Sequence, residues 1–248
     1  MISVRALVPP RLHVFRVYGS AVAIMARHAR IVLPFAVVAT AIPAALELLV
    51  EHELDRGIGA LATSVVDTFC TAVFAGAVEQ LVHRWEGGER RIPARGVLSR
   101  VPPVILPLFV VAIAQALVVA LGFVLLIVPG LLALTYFSLV GPVVVAERLG
   151  IRATFRRSAQ LVRGNFWRVF AVMLSLEVLA GLIAFIVGRI FSSIGEASED
   201  PIALAIGEAV TLPLEVLAVA VMYWRLRAIE RLRVRAGDEA LADAPPGN

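Results

Sequence analysis

Residues 104–146 read VILPLFVVAIAQALVVALGFVLLIVPGLLALTYFSLVGPVVVA, without one charged side chain. The hydrocarbon core of a bilayer takes about 20 helical residues, because each adds about 1.5 Å. The run is therefore too long for one crossing and too apolar for a water-facing surface. Pro129-Gly130 interrupts it. Proline removes a backbone donor and glycine opens positive φ, so the pair predicts a tight turn. On either side lie a third span, residues 104–128, and a short fourth, residues 131–146.

Working outward, the same length criterion finds spans at residues 31–50, 58–82, 167–191 and 202–224. Composition agrees: hydrophobic residues make up 60% of the 248-residue chain and charged residues 17%, against roughly 45–50% and about 25% in soluble domains. Mean hydropathy is +0.89. The expected fold is an all-α membrane protein of six transmembrane helices. Residues 1–30 form a basic segment with an amphipathic helix, residues 31–236 the membrane domain, and residues 237–248 a disordered tail. The first span starts late and lacks a compact basic start, so it is not expected to be a cleaved leader.

All 23 basic residues are arginine. Arg56 and Arg189 fall between spans on one side; the other 21 fall in the four segments on the opposite side. Arginine-rich flanks stay in the cytoplasm, which predicts a multi-pass protein of the bacterial inner membrane with both termini cytoplasmic. The net charge of +4 and pI near 10.1 would otherwise suggest nucleic acid. The charges sit in short clusters between apolar runs, so no nucleic-acid partner is expected. Cys70 stands alone inside an apolar stretch, and His13, His28, His52 and His83 lack ligand spacing. Neither a metal nor a cofactor is expected.

Two segments on the arginine-rich side have helical amphipathic patterns. Ile151, Phe155, Ala159, Val162 and Phe166 share an arc, with Arg152, Arg156 and Arg163 beside it and Arg157 further round. Val14, Tyr18, Val22 and Met25 form a similar arc, with Arg16, Ser20 and Arg27 opposite. Such helices can lie in the interface, apolar side in acyl chains and guanidiniums among phosphates. They serve either as plain anchors or as a headgroup site, for which Arg152, Arg156, Arg157, Arg163 and Arg168 are the candidates.

Two stretches are more specific. Arg156-Arg157-Ser158-Ala159-Gln160-Leu161-Val162-Arg163-Gly164-Asn165-Phe166-Trp167-Arg168 leads into the fifth span, and Tyr223-Trp224-Arg225-Leu226-Arg227 ends the sixth. With Pro129-Gly130 and Pro142, they resemble the membrane domain fused to some glycerophosphoryl diester phosphodiesterases, and its stand-alone bacterial relatives. Ala159 stands where that family often has tryptophan, and Arg225 where it often has aspartate. The resemblance implies a six-helix membrane module. It does not bring the catalytic domain, whose His-Arg-Gly segment has no counterpart here: His83-Arg84-Trp85 is not that motif.

Acids at bilayer depth are the remaining candidates. Asp67 lies in the second span with Thr63, Ser64 and Thr71 on its face. Glu177 lies in the fifth, and Glu208, Thr211 and Glu215 share a face of the sixth. An ionised carboxylate in hydrocarbon costs about 2.5–3.5 kcal/mol on insertion scales. Such acids must be neutral, turned inward and hydrogen-bonded, or bathed in water. Glu79, nearer the arginine-rich end, can snorkel toward Arg84. Pro213 frees the carbonyl of Ala209, a further ligand group or the mark of a plain kink. The leading expectation is a non-enzymatic protein that binds or organises lipids, anionic headgroups above all, through its arginine-rich face. The alternative is a small transporter or lipid-translocating protein using the buried acids. Serine, histidine and carboxylate nowhere fall at a spacing that suggests an enzyme.

Overall fold

In hydrocarbon every backbone donor and acceptor must be satisfied within the protein, so apolar runs of this length are driven into helix. The computed structural model describes residues 14–50, 56–89, 96, 102–193 and 201–242. Its elements are α1 (Val14–Val50), α2 (Arg56–Glu86), α3 (Pro102–Leu125), α4 (Ile127–Phe137), α5 (Val140–Glu147), α6 (Ile151–Arg163), α7 (Phe166–Ser193) and α8 (Pro201–Ala242). Among the described residues there is no strand. Six helical stretches are long and apolar enough to cross a membrane, with α4 and α5 together making one of them.

The third and fourth spans part at Leu126, not at Pro129-Gly130. Leu126 is extended (φ −170°, ψ 156°) and precedes α4. Pro129 falls in the first turn of α4, where its missing N–H leaves no bond unmade. Gly130 serves packing instead of the turn. A Cβ on it would come within 2.5 Å of the Phe123 ring, and one on Gly122 within 2.9 Å of the Gly130 Cα. The two backbones therefore cross almost in contact.

The fourth span is itself broken, at Ser138-Leu139. Pro142 accounts for this: it has no N–H to offer the Ser138 carbonyl four residues earlier. Ser138 folds back on Thr135, its hydroxyl donating to the Thr135 carbonyl at 2.9 Å. By contrast α1, α3 and α8 run straight through Pro34, Pro43, Pro107 and Pro213.

Two further differences concern the ends. The basic segment before span one continues into it as α1, bent at His28 (φ −114°, ψ 17°). The disordered tail expected from residue 237 is helical as far as Ala242, since Asp238-Glu239-Ala240-Leu241 carries good helix formers. Residues 1–13, 51–55, 90–95, 97–101, 194–200 and 243–248 lie outside the described residues.

Packing centres on α1 and α8, which run antiparallel. At one end Arg225 of α8 donates to the Arg16 carbonyl (3.2 Å) and the Ser20 hydroxyl (2.7 Å) of α1. At the other, Pro43, Ala44 and Glu47 of α1 face Pro201, Leu204 and Ala205 of α8. Phe74, Leu81, Leu139, Leu217 and Tyr223 are fully buried in the main core. A second cluster joins Val104, Leu108 and Val111 of α3 to Val140, Val144 and Val145 of α5. Leu117, Val124, Val178 and Phe185 point outward and stay exposed, as lipid-facing residues must.

Candidate functional site

The break between α4 and α5 opens onto a polar cavity of about 390 Å³. Asp67, Thr68, Thr71 and Glu79 line it from α2, Gln115 from α3, Ser138 and Gly141 from the break, and Glu208 and Glu215 from α8. No arginine or histidine is among the lining residues. Spacing explains the convergence. Glu208 and Glu215 are two turns apart on one helix, and α2 presents Asp67, Thr71 and Glu79 along the side that faces α8. Asp67 and Glu79 are about 18 Å apart along that helix, so the cavity is elongated across the membrane.

A second cavity of about 310 Å³ continues toward the arginine-poor end, sharing Asp67 and Glu208 and adding Glu47, Thr63 and Ser64. Asp67 and Glu208 thus stand between the two cavities. Glu208 lies within electrostatic reach of Asp67, and Glu215 within reach of Glu208 and Glu177.

Glu79 occupies the closed end. It is 5% exposed, and it does not reach the Arg84 pair made with Glu89. Its Oε1 sits 2.8 Å from where a Cβ on Gly141 would be, against the first turn of α5, and its Oε2 has no hydrogen-bond partner. The N-terminal end of a helix carries partial positive charge, which suits a carboxyl there. Among the described residues, none of the four lining acids forms an ion pair or a side-chain hydrogen bond to another helix. No group of three histidine, cysteine or acidic side chains among the described residues is placed to hold a metal ion.

Of the other expected acid-site residues, Thr211 donates to carbonyls of its own helix, at Gly207 and Glu208. Glu177 is exposed, beside exposed Leu174 and Val178. The packed side of α7 is Val169, Val172, Met173 and Leu176, and a step of one residue turns Glu177 away by about 100°. Ala209 lines a different, apolar cavity between α1 and α8. Gln115 is legible as the one amide in the uncharged run of residues 104–146.

At the arginine-rich end a second polar cluster forms. Arg157 of α6 donates through both terminal nitrogens to Glu230 of α8 (2.7 and 2.6 Å) and through Nε to Glu147 at the end of α5 (3.0 Å). These bonds, Glu230's first and then Glu147's, hold its guanidinium in the charged form beyond its ordinary range. The Tyr223 hydroxyl donates to Glu147 at 3.0 Å, and Arg227 donates to Tyr223 at 3.3 Å. Arg157 is thus engaged inside the protein, whereas Arg152, Arg156 and Arg163 are exposed and Arg168 is half-buried.

The buried side of α6 is Thr154, Ser158, Leu161 and Val162, about a quarter turn from the apolar arc read in the sequence. Ser158 earns its place by donating to the Tyr136 carbonyl at 2.7 Å. In α1 the buried stripe is Val17, Ala21, Ile24 and His28, one residue off the expected arc, and Val22 is exposed.

No protein-family model and no solved structure matches the chain. Over 133 residues it is 30% identical to a UPF0259 membrane protein of Yersinia pestis (strain Pestoides F), with 52% of each chain covered. UPF0259 membrane proteins of Yersinia pseudotuberculosis, serotype O:3 (strain YPIII) and serotype IB (strain PB1/+), match to the same extent. The chain spans about half the length of these curated relatives. With six apolar crossings and relatives of this kind, it is an all-α, multi-pass membrane protein.

Proposed function

We propose that this chain is a small, non-enzymatic transport protein whose carboxylate column takes up protons or a protonated organic cation. One observation carries the reading: Asp67, Glu79, Glu208 and Glu215 line the same cavity, beside a broken helix, without a cation among them. If these acids were only glue between helices, they would bond across helices, and among the described residues none does. Discontinuous helices at mid-membrane are where transporters build their sites. The acids are spread around the cavity and not gathered on one point, which favours a proton chain or an organic cation over a bare metal ion.

The test is flux into proteoliposomes, followed with a pH-sensitive dye and with a panel of primary amines. Transport that is lost in the triple variant Asp67→Asn, Glu208→Gln, Glu215→Gln, with thermal stability in detergent retained, supports the proposal. Equal flux in variant and parent, or none in the parent for protons and amines alike, refutes it.

A second reading, lipid binding through the arginine-rich face, is supported by Arg152, Arg156 and Arg163 on one exposed side of α6, close in sequence to Trp167, which is 77% exposed. Binding that ignores the anionic-lipid content of vesicles would count against it. The arginine distribution supports an inner-membrane location with cytoplasmic termini. Kinship with the phosphodiesterase-type membrane domain, without its catalysis, belongs to the same proposal. The two stretches that carry that resemblance meet at Arg157, Glu147 and Tyr223.

A further inference from the structure

Helix α8 continues well past Trp224, with Arg227, Arg231 and Arg235 at every fourth position. Positions four apart lie above one another on a helix, so the three share a face. Opposite stands the end of α2, and between them lies a cavity of about 570 Å³ whose lining includes His83, Glu86, Trp224 and the three arginines. Its floor is aromatic: the His83 and Trp224 rings pack at 5.1 Å, and the Arg227 guanidinium lies 5.4 Å over the Trp224 ring.

Like charges four residues apart repel one another and destabilise a helix. Elsewhere at this end the protein answers such charge with carboxylates, as at Arg157. Among the lining residues Glu86 is the one carboxylate, and Arg231 and Arg235 form no ion pair among the described residues. Glu230 lies within electrostatic reach of Arg227 and Arg231 but is already paired with Arg157, so the three guanidiniums outnumber the carboxylates left to them. Guanidinium pairs in planar, two-pronged fashion with phosphate oxygens.

We propose that this cavity binds a phosphate-bearing anion. Height narrows the class. Tryptophan marks the membrane interface, and the helical rise puts Arg227 about 5 Å and Arg231 about 10 Å beyond it. That is the depth of lipid phosphates, with Arg235 one turn further into water. A lipid headgroup and a free diphosphate present the same chemistry there.

The experiment uses the full chain in phosphatidylcholine nanodiscs, titrated calorimetrically with inorganic pyrophosphate. In parallel, nanodiscs containing phosphatidic acid are assayed for lipid retained by the protein after detergent exchange. The variant is Arg231→Gln with Arg235→Gln, and the comparator Arg152→Gln with Arg156→Gln, which removes equal charge from α6. Pyrophosphate binding weakened about tenfold or more by the first pair, and little by the second, is the expected result. Phosphatidic acid retained by the parent and lost only in the first pair also supports the site, and assigns the phosphate to lipid. Equal losses in both pairs, or binding of neither probe by the parent, overturn the proposal.

Discussion

Replacing Arg157 by alanine removes the cation that joins α5, α6 and α8, and the loss can be apportioned from the geometry. The Arg157, Glu147 and Glu230 side chains are 21%, 15% and 40% exposed. Glu230 reaches water, so its half of the arrangement is worth about 0.5–1 kcal/mol in spite of two-pronged geometry. Glu147 is different. A fully buried charge left unpaired costs about 3–5 kcal/mol. Glu147 keeps the Tyr223 hydroxyl at 3.0 Å and some exposure, which reduces the figure to about 2 kcal/mol. The sum is about 2–3 kcal/mol, or a fall of about 5–10 °C in melting temperature for a chain of this size. Thermal unfolding in detergent reads this directly, with Glu230→Gln expected to cost about 1 kcal/mol or less. Arg157→Lys should fall between them, since an ammonium keeps the charge and loses the fork. Adding Glu147→Gln to Arg157→Ala should recover part of the loss, because no orphan charge remains. If Arg157→Ala costs no more than Glu230→Gln, or the added Glu147→Gln recovers nothing, the assignment of Glu147 as the buried member is wrong.

Gly141→Ala would bring its Cβ to 2.8 Å from Glu79 Oε1, the tip of a side chain that can turn into the cavity, so it should cost about 1 kcal/mol or less; in a Glu79→Ala background the same change should be neutral or slightly stabilising by thermal melting. Arg225→Ala removes both bonds to Arg16 and Ser20 and should cost about 1 kcal/mol, seen as earlier proteolysis of the first turns of α1. Glu147→Gln should alter flux in proteoliposomes although it lies outside the cavity, and unchanged flux would separate the clamp from transport.

The number and rough extent of the crossings were legible because hydrophobic run length is a coarse signal that lipid enforces directly. The breaks were not. Pro129-Gly130 has turn chemistry, but proline in a first turn is compatible with helix, so the spans part at Leu126 instead, and the further break at Ser138-Leu139 is made by a proline that follows it. The amphipathic arcs mark a different side of their helices from the one that packs on the protein. A search for apolar side chains finds the lipid-facing or half-buried side, whereas α6 packs inward through Thr154 and Ser158, which satisfy their hydroxyls on backbone carbonyls. Small and polar residues make the close contacts between membrane helices, so the greasiest side is not the protein-facing one. Helical period alone puts Glu208 and Glu215 on one face, and both line the cavity. Glu79 was read as a snorkelling residue because nothing local shows that α5 begins against it.

The cavity and the clamp are not independent features, because α5 is common to both. Its first turn lies against Glu79 at Gly141 and its last residue is Glu147, about 9 Å further along a helix too short to bend. The break at Ser138-Leu139 frees it from α4, while α8 carries Glu208 and Glu215 at the cavity and Tyr223 and Glu230 at the clamp on one unbroken helix. A change in charge at the cavity acts on Glu79 and α8 together. To move α5 relative to α8 is to strain the bonds at Arg157 and Tyr223, since those bonds are what ties the two helices at the other end. The cavity and the clamp therefore share two helices, α5 and α8, through which a load at one can act on the other. If the cavity takes up a cation as proposed, its occupancy is felt at the clamp through α5 and α8 together.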